Sequence, residues 1–445
     1  MANNPRELVF RTLLNAERNS SRPIDDLLSD TLAGSLLSIQ EKRWTMEMVY
    51  GITRMKLQLD AFIEASFKGR YRKAQHAVKV LLRMGTFQLK FMHTADHAAI
   101  NETVNLGKKV GQIKAIGLIN AVLRQVQSSD LDMIVSAIDS EQRKLSVETS
   151  HPEWMLERWV SRYTQDDVVA LCSHNNQSPQ MWIRRNPLKV EQKAFEAYLD
   201  KAQIPYERSS ILESFYQVEN SGALLYTAEF RDGWFSYQNL AAGIVAYLID
   251  PQPNEVVVDV CAAPGGKMAY ISELSQGSTP IVACDASSSR LTKVKQAVER
   301  LDLKQISIKQ LDAAVEVVPE GNKILLDVPC SGTGVLNRRP DARWKRQESD
   351  IESLAEIQTK ILMNSWRSVL PGGILIYATC TLEPEENWEL IDAIIEQLDS
   401  AEIEAIKDEK LKPYIDERGA LATLPWKHEI DGMFAVKIRK NDESI

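Results

Sequence analysis

One stretch decides the fold of the second half of this chain: VVVDVCAAPGGK, residues 256–267. The near-continuous apolar run over 255–260 predicts a strand that is buried on both faces. The small residues after it predict a tight turn that opens onto a helix. In parallel sheets ligands bind at the carboxyl ends of the strands, so this turn is a candidate ligand loop.

The same rhythm of strand, turn and helix continues toward the C-terminus. Apolar segments predict strands at 281–284, 306–309, 323–328 and 373–378, with helices at 290–301 and 350–370. Apolar strands that alternate with helices indicate an α/β fold with a doubly wound, Rossmann-like parallel sheet. The pattern begins near residue 237, so we predict one α/β domain over 237–445.

Upstream of this domain the pattern is different. Residues 1–128 are predicted to form an all-helical domain, since apolar residues recur at helical spacing, for example over 78–92. The polar residues 129–150 suit a linker. Residues 151–236 suit a small α+β segment, and we predict a single helix over 152–172 within it.

Composition narrows the possible classes of protein. Of 445 residues, 44% are hydrophobic and 26% are charged, close to the average for a globular chain. No apolar run approaches the roughly 18 residues of a membrane span, and the first residues lack the apolar segment of a secretory signal. Five cysteines without a C-x-x-C pair argue against a disulfide framework and against a bound metal. We therefore expect a cytoplasmic protein that does not contact a membrane.

Charge is distributed unevenly along the chain. The net charge is −8, but residues 1–128 carry 19 Lys and Arg against 11 Asp and Glu, a balance of +8. A basic region favours contact with a polyanion such as nucleic acid, although a merely uneven surface would explain it as well. Within it, KGRYRK at 68–73 places four cations around Tyr71, a pattern that offers phosphate contacts and one stacking surface. A solvated basic loop is the alternative.

The turn at 261–267 fits a nucleoside cofactor. Asp285 lies 20 residues after Gly265, at the end of the second predicted strand, where a carboxylate accepts hydrogen bonds from ribose hydroxyls. A P-loop is excluded because Met268 follows Lys267 in place of Ser or Thr, and the G-x-G-x-x-G pattern of a dinucleotide site is absent. S-adenosylmethionine needs no pyrophosphate cradle and fits best, while a Gly-rich turn without a ligand is the alternative.

Two cysteines follow predicted strands at the same edge of the sheet. DVPC ends at Cys330 and ATC ends at Cys380. Isolated cysteines are more often core residues, and we interpret Cys172 and Cys284 in that way. Two thiols on a ligand-binding rim suggest covalent chemistry on a pyrimidine, because a thiolate that attacks carbon 6 of cytosine makes carbon 5 able to accept a methyl group. A neighbouring acid such as Asp327 would interact with ring nitrogen 3.

Three motifs resemble those of RNA 5-methylcytosine methyltransferases of the Nol/Nop/Sun group. They are CAAPGGK at 261–267, DVPCSGTGVLNRRPDARW at 327–344 and ATCTLEPEEN at 378–387. The segment GLINAVLR at 117–124 resembles part of a NusB-like RNA-binding domain, and DGMF at 431–434 fits the same combination. The resemblance implies a class I methyltransferase that acts on a cytosine of small-subunit (16S) ribosomal RNA. It also implies that residues 1–128 and the small α+β segment over 151–236 bind the RNA.

The resemblance also implies roles for individual residues. Cys380 would be the nucleophile, Cys330 would assist release of the product, and Asp327 would contact the base. The residues implied to line the S-adenosylmethionine and base sites are Cys261, Ala262, Ala263, Pro264, Gly265, Gly266, Lys267, Asp285, Asp312 and Asp327. The basic residues implied to hold RNA phosphate around Trp344 are Arg338, Arg339, Arg343, Lys345 and Arg346.

Two positions depart from the family pattern. Met268 stands where the family has a hydroxyl residue after the motif lysine, and Asn239 stands where the family has an aspartate. Both changes put local hydrogen bonds in question.

Three functional hypotheses follow. The leading one is an RNA cytosine methyltransferase that works as a monomer with 16S ribosomal RNA as its partner. A nucleotide-dependent oxidoreductase on the same fold would require the missing dinucleotide fingerprint. A catalytically dead RNA-binding protein would have no reason to keep Asp327, Cys330 and Cys380 together.

Overall fold

The structure, a computed structural model, describes residues 4–19, 22–92, 94–219 and 221–442. The predicted domain ends at residues 1 and 445 lie outside this part of the chain. Two compact units divide the chain, and the first contains an inserted segment from the second half: unit 1 is Met1–Ser178 with Leu336–Arg346, and unit 2 is Pro179–Val335 with Gln347–Ile445. The predicted domain boundaries at residues 128, 150 and 236 stay a prediction. The boundaries between the two compact units lie at other positions.

Helices and strands are numbered along the chain. The helices before residue 178 are α1 (Pro5–Arg18), α2 (Ile24–Ala33), α3 (Ile39–Arg54), α4 (Lys56–Ser66), α5 (His76–Lys90), α6 (Asp96–Lys109), α7 (Ile116–Ser128), α8 (Leu131–Ser136), α9 (Glu141–Thr149), α10 (Glu153–Val160) and α11 (Gln165–Asn176). The later helices are α12 (Gln192–Lys201), α13 (Ala228–Arg231), α14 (Leu240–Tyr247), α15 (Gly266–Leu274), α16 (Ser288–Leu301), α17 (Ala342–Lys345), α18 (Ser349–Trp366), α19 (Trp388–Ile394) and α20 (Pro425–His428). The strands are β1 (Met181–Arg185), β2 (Tyr206–Arg208), β3 (Phe215–Val218), β4 (Phe235–Tyr237), β5 (Val257–Asp259), β6 (Ile281–Asp285), β7 (Ile306–Gln310), β8 (Gly321–Asp327), β9 (Val369–Thr379), β10 (Ala401–Glu404), β11 (Leu421–Ala422) and β12 (Phe434–Lys440).

Unit 1 is built from helices α1–α11 and α17. The central helix α5 buries Val80, Leu81, Leu82 and Met84 in a core that it shares with α1, α3, α4, α6 and α7. Helix α3 begins with a capping box: the Ser38 side chain accepts a hydrogen bond from the Glu41 N–H, and the Glu41 carboxylate accepts one from the Ser38 N–H. The all-helical prediction for residues 1–128 is confirmed in the described residues.

Residues 129–150, predicted to be a linker, contain α8 and α9. Asp130 and Ser140 start these helices by accepting hydrogen bonds from backbone N–H groups two or three residues further on. Short polar helices of this kind lack the apolar periodicity on which the prediction depended. The single helix predicted over 152–172 is also two helices, since Thr164 caps the start of α11.

Unit 2 begins with an antiparallel sheet of order β2-β3-β1-β4. Phe195 of α12 packs on the sheet against Tyr216 and Phe235, with ring centroids 5.3 and 5.8 Å away. These elements lie within the α+β segment predicted over 151–236, whose first two helices, α10 and α11, belong to unit 1.

The larger sheet of unit 2 has the strand order β10-β12-β9-β8-β5-β6-β7, and β11 pairs with β12. The strands from β9 to β7 are parallel, as predicted, whereas β12 is antiparallel to both β9 and β10. The chain leaves β5 toward β6 and β7, then returns to β8 on the other side. This reversal of order next to β5 is the topological switch point at which such sheets bind ligands.

The C-terminal strands β10–β12 are not predicted from the sequence. Strand β12 alternates apolar residues with Lys437 and Arg439, unlike the apolar runs of the central strands. Within the described ranges, no helix is both long enough and apolar enough to cross a membrane.

Candidate active site

Neighbouring parallel strands of unit 2 carry polar side chains at their carboxyl ends. Asp259 ends β5, Asp285 ends β6 and Asp327 ends β8. Asp312 follows β7, and Cys380 follows β9. Asp285, Asp312, Asp327 and Cys380, which the sequence singles out, therefore share one edge of the sheet with Asp259, beside the switch point.

The turn at 261–267 is tight and leads directly into α15. The Ala262 N–H donates to the carbonyl of Cys284 (2.8 Å), and the Gly265 N–H donates to the carbonyl of Ala262 (2.7 Å). Gly265 has φ of 105°, a conformation that strains any residue with a Cβ atom. Because α15 begins at Gly266, its first N–H groups face the end of this turn.

Asp285 is anchored at the end of β6 and is 3% exposed. Its Oδ1 accepts a hydrogen bond from the Ser287 N–H (2.9 Å), and Arg290 Nη1 lies 3.3 Å from its Oδ2. Arg290 also donates from Nη2 to the carbonyl of Ala263 (2.7 Å), so it joins Asp285 to the turn. Arg290 is not predicted from the sequence, although a basic residue in the first turn of the helix after Asp285 is a recognisable pattern.

Charges next to the turn are dominated by carboxylates. Lys267 Nζ lies 2.5 Å from Asp327 Oδ2. Burial acts to lower the pKa of Lys267, but Asp327, Asp259 and Cys380 outweigh it and the pKa is raised. Burial, followed by the charge of Asp327, raises the pKa of Asp259 to about 7.

This charge pattern tests which cofactor the residues fit. Asp327 pairs with Lys267 and Asp285 with Arg290, and the carboxyl group of Asp259 adds a third acidic group, so the site favours a cationic ligand over an anionic one. S-adenosylmethionine carries a sulfonium and an ammonium group, whereas a dinucleotide carries a negatively charged pyrophosphate. The residues present therefore fit S-adenosylmethionine.

Asp312 is exposed, and its Oδ1 accepts a hydrogen bond from the Ala314 N–H (3.0 Å), which stabilises the turn after β7.

The two rim cysteines are in contact. The sulfurs of Cys330 and Cys380 lie 3.2 Å apart, and the Cys380 N–H donates to Cys330 Sγ (3.3 Å). The Gly334 N–H donates to the carbonyl of Cys380 (3.0 Å), which ties the loop after Cys330 to the end of β9. The hydrogen bond with Cys380, together with burial, raises the pKa of Cys330 well above its ordinary value.

The other cysteines differ from this pair. Cys172 and Cys284 are fully buried, as predicted, and burial raises the pKa of each to about 12. Burial likewise raises the pKa of Cys261, in the cofactor turn. None of these three thiols has a second sulfur in hydrogen-bonding contact among the described residues.

A buried arginine that the sequence analysis missed supports the cofactor turn. Arg184 of β1 donates from Nε and Nη2 to the Glu273 carboxylate, at 2.7 and 2.6 Å, and both side chains are buried. Its Nη1 donates to the carbonyl of Gly266 (3.1 Å) and also to Gln238 Oε1. The small sheet of unit 2 therefore holds the beginning of α15.

Both departures from the family pattern are accommodated. Asn239 Oδ1 accepts a hydrogen bond from the Ala242 N–H (3.2 Å), so it caps α14 as an aspartate would. Met268 is fully buried and packs in the apolar core between the sheet and its helices.

Two expectations about basic residues are wrong, both in unit 1. Tyr71 is buried and its hydroxyl donates to Asp60 Oδ1 (2.7 Å), so it offers no stacking surface. The cations around it are exposed: Lys68, Arg70, Arg72 and Lys73. The aromatic ring of the KGRYRK segment therefore belongs to the core, and only its cations are available to RNA.

Arg343 does not bind phosphate, because it is fully buried. Its guanidinium donates to the carbonyls of Ser150 and Asn175 (3.0 Å each) and to Asn176 Oδ1 (2.8 Å). Burial lowers the pKa of Arg343 to about 9. Trp344 is also held inside unit 1, since its Nε1 donates to the carbonyl of Thr53 (2.5 Å).

Fold and site together define a class I methyltransferase whose methyl donor is S-adenosylmethionine. Comparison with known proteins gives the family. Residues 246–439 match the family described as 16S rRNA methyltransferase RsmB/F, residues 3–128 match the NusB family, and residues 151–223 match the ferredoxin-like domain of RsmF/B-type methyltransferases.

Relatives match over nearly the whole chain. The probable ribosomal RNA small subunit methyltransferase B of Bacillus subtilis is 32% identical over 98% of both chains. Ribosomal RNA small subunit methyltransferase B of Escherichia fergusonii is 33% identical over 91% of this chain and 92% of its own. The chain belongs to the RsmB/F family of 16S rRNA methyltransferases, and it is a methyltransferase of the small-subunit ribosomal RNA type.

Solved structures agree in fold. The crystal structure of PH0851 superposes with a TM-score of 0.82 at 21% identity, covering 99% of this chain and 100% of the other. A methyltransferase homolog protein from Pyrococcus horikoshii superposes with a TM-score of 0.59 at 25% identity, covering 68% of this chain and 100% of the other.

Proposed function

We propose that the enzyme methylates carbon 5 of a cytosine in 16S ribosomal RNA, and that Cys380 forms a covalent adduct with the base. The observation that carries this proposal is the pair of thiols, Cys330 and Cys380, with sulfurs 3.2 Å apart at the edge of the sheet that carries the cofactor turn. Methylation of a ribose hydroxyl or an exocyclic amine has no use for such a pair, whereas methylation at carbon 5 requires a nucleophile and a base.

The adduct is needed because carbon 5 of cytosine is a weak nucleophile. When the thiolate of Cys380 bonds to carbon 6, the electron pair of the carbon 5–carbon 6 double bond becomes available at carbon 5, and ring nitrogen 3 takes up a proton. S-adenosylmethionine supplies the methyl group as an electrophile. Removal of the carbon 5 proton then restores the double bond and breaks the carbon 6–sulfur bond, and nitrogen 3 gives back the proton it took up. Cys380 returns as a thiolate and the base leaves as neutral 5-methylcytosine.

Lys267 and Asp327 support the attack. The ammonium group of Lys267 interacts electrostatically with Cys380, so it favours the thiolate over the thiol. It also pairs with Asp327, whose carboxylate can accept hydrogen bonds from the protonated nitrogen 3 and from the amino group of the base. One lysine therefore serves both the nucleophile and the residue that binds the ring.

Cys330 suits the release step. The largest cause of its raised pKa is the hydrogen bond with Cys380, and this cause weakens once the Cys380 sulfur has bonded to the base. Burial continues to raise the pKa of Cys330, but the contact between the two thiols no longer does so after the attack. A thiolate formed at that stage can take up the carbon 5 proton, which permits elimination of the product.

The cofactor residues follow from the same edge of the sheet. S-adenosylmethionine would be held by the turn that consists of Cys261, Ala262, Ala263, Pro264, Gly265, Gly266 and Lys267. Asp285 would accept hydrogen bonds from its ribose hydroxyls, and Asp312 would contact the edge of its adenine. Asp312 is exposed and engaged mainly within its own turn, which makes it less constrained than the buried Asp285.

RNA affinity is assigned to the helical unit. Lys68, Arg70, Arg72 and Lys73 are exposed there, and residues 3–128 match the NusB family. Small-subunit ribosomal RNA is proposed as the substrate because the relatives are named for it. We expect the enzyme to act as a monomer in the cytoplasm, where ribosomal RNA is available.

Bisulfite sequencing of 16S ribosomal RNA tests the proposal. Cells that lack the protein should lose protection of one cytosine, because bisulfite converts cytosine and spares 5-methylcytosine. Wild-type protein should restore the protection, and Cys380→Ser should not. Unchanged protection at every cytosine in the deletion strain would contradict the proposed substrate.

A further inference from the structure

A buried carboxylate, Glu386, lies next to the loop that carries Cys330, and no role for it is predicted from the sequence. Glu386 is fully buried, in the short turn Pro384–Glu386 after β9. Its Oε1 accepts hydrogen bonds from the Ser331 N–H and from Gln358 Nε2, both at 2.8 Å, and its Oε2 accepts one from the Ser331 hydroxyl.

These contacts hold the two peptide groups that flank Cys330. The Ser331 N–H belongs to the peptide group after Cys330, and Glu386 fixes it. The carbonyl of Pro329 belongs to the peptide group before Cys330, and it accepts a hydrogen bond from Gln358 Nε2 (2.9 Å). Since φ and ψ of a residue are set by its flanking peptide groups, Glu386 and Gln358 together fix the backbone of Cys330.

The same network reaches the strand that carries Cys380. The Tyr377 hydroxyl of β9 contacts Gln358 Oε1 (3.0 Å) and donates to the carbonyl of Glu386 (2.7 Å). Thr381, directly after Cys380, has its hydroxyl 2.6 Å from that of Ser331. The backbone of Cys330 is thus fixed relative to the end of β9.

We propose that Glu386, through Gln358 and the Ser331 N–H, is a positioning residue that holds Cys330 where it can remove the carbon 5 proton of the adduct. The inference rests on the proposed function of the two cysteines and deepens it. Three donors meet the buried side chain of Glu386, so it fixes the Cys330 loop without itself touching the base. Loss of its acceptors would let Cys330 move while Cys380, on the strand end, stays in place.

Substitutions of matched size separate positioning from folding. Glu386→Met removes both carboxylate acceptors from the Ser331 N–H, the Ser331 hydroxyl and Gln358 Nε2. Glu386→Gln keeps one carbonyl acceptor. Gln358→Met removes the hydrogen bond to Pro329 and leaves Glu386 intact. Glu389→Met, on the exposed side of α19, is the control for an added methionine.

Each variant is incubated as the full chain with S-adenosylmethionine and 16S ribosomal RNA from the deletion strain. We measure cofactor affinity, thermal unfolding, the rate of adduct formation and the rate of RNA release. For Glu386→Met and Gln358→Met we expect release to slow by about 10- to 100-fold, the usual effect of a misplaced group, so that RNA accumulates on the protein. Cofactor affinity should change less than about twofold, and Glu386→Gln and Glu389→Met should release RNA at nearly the wild-type rate.

The proposal is overturned if Gln358→Met and Glu386→Met release RNA as fast as Glu389→Met. It is also overturned if adduct formation and release slow equally with lower thermal stability, which is the result of a purely structural role. If Glu386→Met does not fold, Gln358→Met decides. Cys330→Ser in parallel identifies a failure of the proposed function itself, because that variant would then trap no RNA.

Discussion

The sulfur atoms of Cys330 and Cys380 lie 3.2 Å apart, although the two residues follow different strands, β8 and β9. The parallel pairing of these strands brings their carboxyl ends together. A hydrogen bond from the Gly334 N–H to the carbonyl of Cys380 then joins the loop after Cys330 to the end of β9. Carbons 5 and 6 of cytosine are bonded neighbours. Two sulfurs this close can therefore act on the two carbons of one base.

The two cysteines should fail differently when each is replaced. Cys380→Ser should abolish methylation and form no covalent complex, because a hydroxyl is a far poorer nucleophile than a thiolate at neutral pH. In Cys330→Ser, Cys380 should still attack the base and the methyl group should be transferred, but the product should not be released. RNA should therefore remain on the protein through denaturing electrophoresis.

Omission of S-adenosylmethionine is the control for this experiment, since methyl transfer is the step that commits the adduct. Trapping by Cys380→Ser instead of Cys330→Ser would make Cys330 the nucleophile. Full activity of both variants would remove the covalent mechanism.

Asp285 should contribute more to cofactor affinity than any exposed carboxylate of unit 2. A carboxylate that accepts hydrogen bonds from ribose hydroxyls gains about 1.5–3 kcal/mol, so Asp285→Ala should weaken S-adenosylmethionine binding by about 10- to 100-fold. Calorimetry on the full chain measures this. Asp399→Ala, an exposed aspartate before β10, should bind as the wild type does. Tighter binding of NAD than of S-adenosylmethionine would contradict the assignment.

The exposed cations of the KGRYRK segment should set the salt dependence of RNA binding. Lys68→Gln, Arg70→Gln and Lys73→Gln together should reduce the slope of log affinity against log salt by about 2, at roughly 0.7 per phosphate contact with single-stranded RNA. Replacement of Lys407, Lys410 and Lys412, three exposed lysines of unit 2, is the matched control. Equal slopes for both triple variants would exclude a specific role for the segment.

Sequence patterns predict the central parallel strands and the site residues for a physical reason. Strands buried on both faces are continuous apolar runs, and the residues after them must lie at one edge of the sheet. Arg184 and Arg343 show where such reasoning ends. Each is a cation in the sequence, yet each is buried. Glu273 pairs with the first, and backbone carbonyls accept hydrogen bonds from Nη1 and Nη2 of the second. Whether a charged side chain is buried depends on hydrogen-bonding partners that are distant in sequence, and a local sequence pattern does not identify those partners.

Arg343 should therefore contribute to stability and not to phosphate binding. Arg343→Met would leave the carbonyls of Ser150 and Asn175 without their donor, and the expected loss is about 3 kcal/mol of unfolding free energy. Arg343→Lys should recover only part of it, since an ammonium cannot reproduce the planar fork of a guanidinium. Urea unfolding measures the loss. A variant of unchanged stability with a reduced salt slope of RNA binding would restore the phosphate assignment.

The buried charge cluster of unit 1 should make its stability depend on pH. Glu17 contacts Arg83, which also forms hydrogen bonds with Asp60. Burial acts to raise the pKa of Glu17, but Arg83 and then Lys56 outweigh it and lower the pKa to about 2 from an ordinary value of 4.5. A carboxyl group whose pKa is lower in the folded state stabilises that state above its unfolded pKa, and the contribution is lost as pH falls through the folded value.

A shift of this size corresponds to about 3 kcal/mol, so Glu17→Gln should cost about that much at pH 7. At pH 3 the Glu17 carboxylate stabilises the folded state less, so the difference in unfolding free energy between the wild type and Glu17→Gln should fall to about half. Urea unfolding of the full chain at both pH values measures this, with Glu47→Gln on an exposed position of α3 as the control. A loss that is the same at pH 7 and pH 3 would mean that Glu17 stabilises unit 1 through packing, and that its charge contributes nothing.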